Sequence, residues 1–212
     1  MSLLPPAPQL IAFVAASAVL AVTPGPGVVY IVTRTLAQGR RAGLASVAGV
    51  ALGNFASAAV ASTGLALVLA TSAWAFACLK YAGAAYLCVL GWRAWHQVSA
   101  RSAIEPSSVE RGQVLGQGFF VALLNPKTVL FFAAFLPAFM QGGDAPLAQA
   151  LMLGALFVGV AAASDTGYVV LASTVATKLR DTRDASMRGQ RVAALVYIGL
   201  GCVLAWSGVD LG

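Results

Sequence analysis

Charge is what this chain has least of. Only 9% of its 212 residues are Asp, Glu, Lys or Arg, against about 25% in an ordinary soluble domain. That is too little to coat a water-exposed surface of this size. Cysteine occurs three times, at Cys78, Cys88 and Cys202, and so few, odd in number, exclude a disulfide scaffold. Histidine occurs once. His96 sits at the edge of an apolar run, which leaves no feasible Ser/His/Asp catalytic set. The clustered His, Cys or carboxylate groups of a metal site are missing as well. No glycine-rich turn stands between a strand and a helix, so Gly25 and Gly27 are not a phosphate loop. The residues read as a non-enzyme, with no cofactor and no metal.

Apolar residues are what the chain has instead, at 59% and a mean hydropathy of +0.84. That content excludes disorder. A membrane span takes about 20 apolar residues, and six apolar runs are found, at about 8–33, 43–66, 73–93, 115–140, 146–173 and 192–210. The fold class expected is therefore an all-α polytopic membrane protein of six transmembrane helices, forming one transmembrane domain over 1–212. The first run has no positive flank and no convincing cleavage site, so it reads as a retained helix rather than a signal peptide.

The net charge of +6 would suggest nucleic acid in a soluble protein. No basic stripe interleaved with aromatics occurs, so nucleic acid is not an expected partner. Eleven of the thirteen basic residues fall between runs one and two (Arg34, Arg40, Arg41), three and four (Arg93, Arg101, Arg111), and five and six (Lys178 to Arg191). The alternate loops, near 67–72 and 141–145, carry none. The bias of Lys and Arg toward the cytoplasm then places these three loops inside and both termini outside. The cytoplasmic linker 94–114, with Glu105 and Pro106, separates two halves at about 8–93 and 115–210.

The halves resemble each other. Thr23-Pro24 corresponds to Asn125-Pro126, Gly49-Val50-Ala51 before Asn54 to Gly159-Val160-Ala161 before Asp165, and Lys80, Tyr86 and Trp95 to Arg191, Tyr197 and Trp206. Three spans per half force opposite orientations, a three-plus-three inverted repeat, which is a transporter architecture. Thr23-Pro24 and Asn125-Pro126 each read as an N-cap followed by proline at the first helical position. Each lies midway through its run, so helices one and four are expected to be broken near the midplane. Backbone broken at that depth must face protein or water, and the half-helices would aim positive dipole ends at an anionic group. A plain proline kink between packed helices accounts for the same residues.

Asp165, within run five, carries the strongest polar signal, because a central Asp costs on the order of 2.5–3.5 kcal/mol to insert. It faces a cavity or substrate, carries a coupling proton, or is held by a fixed partner. Lys127 either meets a substrate carboxylate, pairs with Asp165, or snorkels. Asn54 is a helix–helix hydrogen bond or a substrate contact. Tyr30 and Tyr168 either line the path or pack. Gly49, Gly53 and Gly83 are read as close helix packing.

These residues resemble the LysE/RhtB family of bacterial amino-acid exporters, of the lysine exporter and homoserine–threonine efflux type. Thr23-Pro24-Gly25-Pro26-Gly27 is similar to its first-span Pro-Gly-Pro motif, with Gly39-Arg40-Arg41-Ala42-Gly43-Leu44 following. Leu79 to Leu87, Gly118-Phe119, Leu124-Asn125-Pro126-Lys127 and Phe135-Leu136-Pro137 resemble its later signatures, and Asp165 and Tyr168 fall where the family tends to carry them. Gly27 stands where many members have Asn, and Ala138 where many have Gln. The resemblance implies a secondary exporter of amino acids or close derivatives in the bacterial inner membrane, driven by the proton gradient. Its substrate or coupling residues would be Pro24, Gly25, Pro26, Gly27, Asn54, Asn125, Pro126, Lys127 and Asp165. Its partners would be an amino acid, protons and the bilayer, with room for a homo-oligomer. A non-transporting membrane scaffold subunit and a metal-ion exporter of related architecture are the alternatives.

Overall fold

A computed structural model describes residues 5–62, 72–100, 111–140, 146–179 and 183–206. The two loops without positive charge and the Glu105-Pro106 part of the linker lie outside the described residues. Among the described residues the chain is helical throughout, in eight helices: α1 (Ala7–Val22), α2 (Pro26–Gln38), α3 (Arg40–Ser62), α4 (Ala73–Ala100), α5 (Arg111–Leu123), α6 (Pro126–Phe139), α7 (Pro146–Leu179) and α8 (Arg183–Trp206).

Three of these have stretches long and apolar enough to cross a membrane, over Arg40–Ser62, Ala73–Arg93 and Leu147–Val175. Two further candidates are bent pairs, α1 with α2 at 51° and α5 with α6 at 52°. The sixth expected run appears as Ala194–Trp206, an apolar helix shorter than a full span. By length and composition the described chain thus offers three to five spans, where the sequence suggested six.

The two bends have different local causes. After α1, the Thr23 hydroxyl and backbone N–H both turn back to the Val19 carbonyl, at 2.7 and 3.2 Å. Thr23 therefore closes α1 rather than capping the next helix, which corrects the expectation for Thr23-Pro24. The helix begins two residues later, with Gly25 in an extended conformation and Pro26 at its first turn. At the second break the expectation holds. Asn125 is the N-cap of α6 and its side chain accepts from the Lys127 N–H at 3.1 Å. Pro126 occupies the first turn, where a missing N–H costs nothing.

Arg34 is a second correction. It is not a loop residue, because α2 continues to Gln38 and ends at Gly39, whose φ of 88° suits only glycine.

The core divides at the breaks. Phe13 of α1, Phe131, Phe132 and Leu136 of α6, and Leu153 and Phe157 of α7 pack on one side. Tyr30 and Ile31 of α2, Val47 and Val50 of α3, Val121 of α5 and Tyr197 of α8 pack on the other. α3 packs against α5 and α7, while α4 and α8 pair with each other. Small residues permit the close approaches. A methyl group on Gly49 or Gly53 would strike the Leu115 or Phe119 carbonyl, and one on Gly83 would lie 2.7 Å from the Leu124 carbonyl.

Candidate functional site

The end of a helix leaves its last four carbonyls without partners, and the C-terminus of α1 is such an end, placed inside the protein. Side chains from the other half of the chain satisfy it. Lys127 Nζ donates to the Leu20 carbonyl at 2.9 Å and the Thr23 carbonyl at 2.6 Å. Ser164 Oγ donates to the Ala21 carbonyl at 3.3 Å, and Tyr168 Oη to the Val22 carbonyl at 2.7 Å. A cation at this position also meets the negative end of the helix dipole. Lys127 is therefore a cap on α1, a role the sequence reading did not include. Ser164 was missed altogether. Its spacing of four from Tyr168 places both on one face of α7, and that signal was available.

The N-terminus of α2 stands in contrast. It has no side-chain cap, and the first backbone bond across its start is Val29 N–H to the Gly25 carbonyl at 3.0 Å. The N–H groups of Gly27 and Val28 are thus the orphan donors of this helix. At α6 the equivalent donors are satisfied internally, by the Asn125 side chain and the Asn125 carbonyl.

Between these ends lies a cavity of about 50 Å³, lined among others by Gly25, Gly27, Asn54, Asn125, Lys127 and Asp165. At about 10–15 Å³ per water it has room for roughly three to five waters. Six of the nine sequence-predicted residues are thus brought together. The other three are not among its lining: Pro24, Pro26 and Pro126 shape the breaks without facing the space. Thr23, Val50, Thr128 and Phe157 line it and were not predicted.

Asp165 and Asn54 are both buried, at 5% and 6% exposure, on α7 and α3. Among the described residues no hydrogen-bond donor or ion pair holds the Asp165 carboxylate. Lys127 is near enough to interact with it electrostatically, but its ammonium hydrogen bonds go to the Leu20 and Thr23 carbonyls. The fixed Lys127–Asp165 pair considered from the sequence does not form. The cavity therefore offers an uncommitted carboxylate, an amide, a cation and an open helix N-terminus. Those are complementary to a small molecule carrying both an ammonium and a carboxylate.

Several apolar helices, with two bent pairs whose ends meet at a cavity lined by polar and apolar groups, mark a helical membrane protein. The chain belongs to the LysE type translocator family, which it matches over residues 18–208. It is 32% identical over 197 residues to a homoserine/homoserine lactone efflux protein of Salmonella typhimurium, covering 92% of this chain and 94% of that protein. It is 26% identical over 189 residues to a leucine efflux protein of Klebsiella pneumoniae, covering 86% and 87%. An uncharacterized membrane protein of Vibrio cholerae is 28% identical over 196 residues, covering 92% and 95%. No solved structure matches the chain.

Proposed function

We propose that this protein is a secondary active exporter of amino acids or close derivatives across the bacterial inner membrane, coupled to protons. The observation that carries the reading is the convergence of Asp165, Asn54 and the uncapped start of α2 on one cavity between the halves. A substrate carboxylate would take the Gly27 and Val28 N–H groups, where the positive dipole end favours an anion. Asp165 would receive either the ammonium or the coupling proton. Lys127 adds positive potential while holding α1 in place. Relatives named for efflux of homoserine, homoserine lactone and leucine support the substrate class.

Six spans in a three-plus-three inverted repeat, with both termini outside, form part of the same reading. In its favour, α3 pairs with α7 and α4 with α8, as equivalent spans would about a shared axis. The near-equal bends of 51° and 52° point the same way.

Purified protein in liposomes, preloaded in turn with labelled homoserine, leucine, threonine and lysine, tests the proposal. Efflux of at least one, accelerated by an imposed pH gradient, is expected. Folded protein that moves none of the four would overturn it.

A further inference from the structure

One helical turn beyond the cavity along α2, polar groups gather within the apolar core. Tyr30 is fully buried, and its hydroxyl donates to the Val114 carbonyl at 2.8 Å and faces Gln117 Oε1 at 3.4 Å, both on α5. Thr33 bonds the Tyr197 hydroxyl of α8. Arg34 Nη2 donates to the same Gln117 Oε1, with the guanidinium 5.5 Å from the centre of the Tyr30 ring. The bonds to Gln117 and Tyr197 cross from the first half of the chain to the second. They stand between the cavity, which Gly27, Val28 and Val50 line, and the end of α2 at Gln38. From Gly27 to Arg34 is about 10 Å of helix.

Arg34 is incomplete within this cluster. Its Nε is buried and has no hydrogen-bond partner. Among the described residues no carboxylate pairs with the guanidinium, whose contacts are a neutral amide, the Tyr30 ring and the hydroxyls of Tyr30 and Tyr197. The side chain as a whole is partly buried, and the unsatisfied buried N–H is costly. The Nε and Nη2 hydrogens lie on one edge of the guanidinium. That edge is the fork that takes a carboxylate through two parallel bonds. Here one tine is vacant and the other holds an amide oxygen, a weaker acceptor than a carboxylate.

We propose that Arg34 is a second carboxylate-binding site, where the substrate is met before it reaches the cavity, and that binding there displaces Gln117 and so opens the way between α2 and α5. The inference rests on the exporter reading. It adds a loading step to that reading: the carboxylate that completes Arg34 removes a bond joining the two halves. A ligand shifts a closed–open equilibrium only by binding the open form better. The displaced bond and the completed fork supply that difference.

Ser46 reports the opening. It is fully buried, and its carbonyl lies, with the Tyr30 ring, against Gly118. Ser46→Cys, in protein whose native cysteines are replaced by serine, gives a thiol that a small water-soluble methanethiosulfonate reaches only when this packing parts. Homoserine, leucine, threonine, lysine and homoserine lactone, the last without a carboxylate, are each added at millimolar concentration. At least one of the four amino acids should speed modification by about fivefold or more, and the lactone by less than about twofold. Arg34→Gln should abolish the acceleration. Arg34→Lys, which keeps the charge without the fork, covers the case in which Arg34→Gln does not fold, and should lose most of it. Acceleration that survives these changes, that the lactone matches, or that no amino acid produces would overturn the proposal. Transport by the same liposomes is scored in parallel. Efflux without carboxylate-dependent opening sinks the Arg34 site alone, and absence of efflux sinks the exporter reading.

Discussion

The Lys127 ammonium lies 2.6 Å from the Thr23 carbonyl, so a residue that opens one broken helix holds the end of another, 104 positions earlier in the chain. This bond ties α6 to α1 at the level of the cavity. It also explains why a cation near Asp165 makes no hydrogen bond to it among the described residues. The lysine has a structural task of its own.

Lys127→Met should therefore destabilise the fold. It strands two carbonyls that now accept charge-assisted bonds, at a cost of about 3 kcal/mol. Thermal unfolding in detergent reads this as a lowered Tm. Adding Asp165→Asn should restore little, because the lost partners are carbonyls and not Asp165. Full recovery in the double variant would instead mean that the two charges are a pair.

Asp165→Asn separates the two roles open to that acid. As the coupling site, it should lose efflux driven by a pH gradient while retaining substrate-for-substrate exchange. As the ammonium site, it should lose both together. Its folded yield should stay near that of the parent, since no hydrogen bond among the described residues depends on the carboxylate. Undiminished gradient-driven efflux would remove Asp165 from the mechanism.

Two glycine substitutions should contrast. Gly53→Ala pushes a methyl against the Phe119 carbonyl and to 2.7 Å from the Ala122 side chain. Overpacking of this kind costs about 1–3 kcal/mol, and α3 and α5 must separate to relieve it. Gly167→Ala meets nothing within 4 Å and should leave stability almost unchanged. Melting curves of the two variants side by side make the comparison, and equal values would contradict the close packing of α3 on α5.

The orientation can be tested by labelling. With native cysteines removed, Ser102→Cys and Ser186→Cys should resist a membrane-impermeant thiol reagent applied to intact cells and react after permeabilisation. Ready labelling of both from outside would reverse the assignment of the termini.

What the sequence determined by itself were the features fixed within a few residues or by composition. Scarce charge and long apolar runs dictated a helical membrane protein, since buried backbone in lipid must bond within its own segment. Asn125-Pro126 was legible as a helix start because an Asn side chain reaches the N–H two residues on and proline forfeits a donor unused there. Asp165 and Asn54 stood out because polar groups in such runs need a reason.

The tertiary structure decided which of several local options each group takes. The Thr23 hydroxyl was able to cap forward or bond back to Val19; it bonds back, and α2 starts at Pro26. Lys127 had three readings and took a fourth partner, the carbonyls of α1, which only the approach of α6 to α1 brings within reach. Arg34 was counted as a loop charge and lies instead in a helix, against Gln117 on α5. Periodicity and composition carry no information on which distant side chain will stand opposite. That depends on how bent helices pack, and the packing alone brings the open start of α2, Asn54 and Asp165 to one cavity.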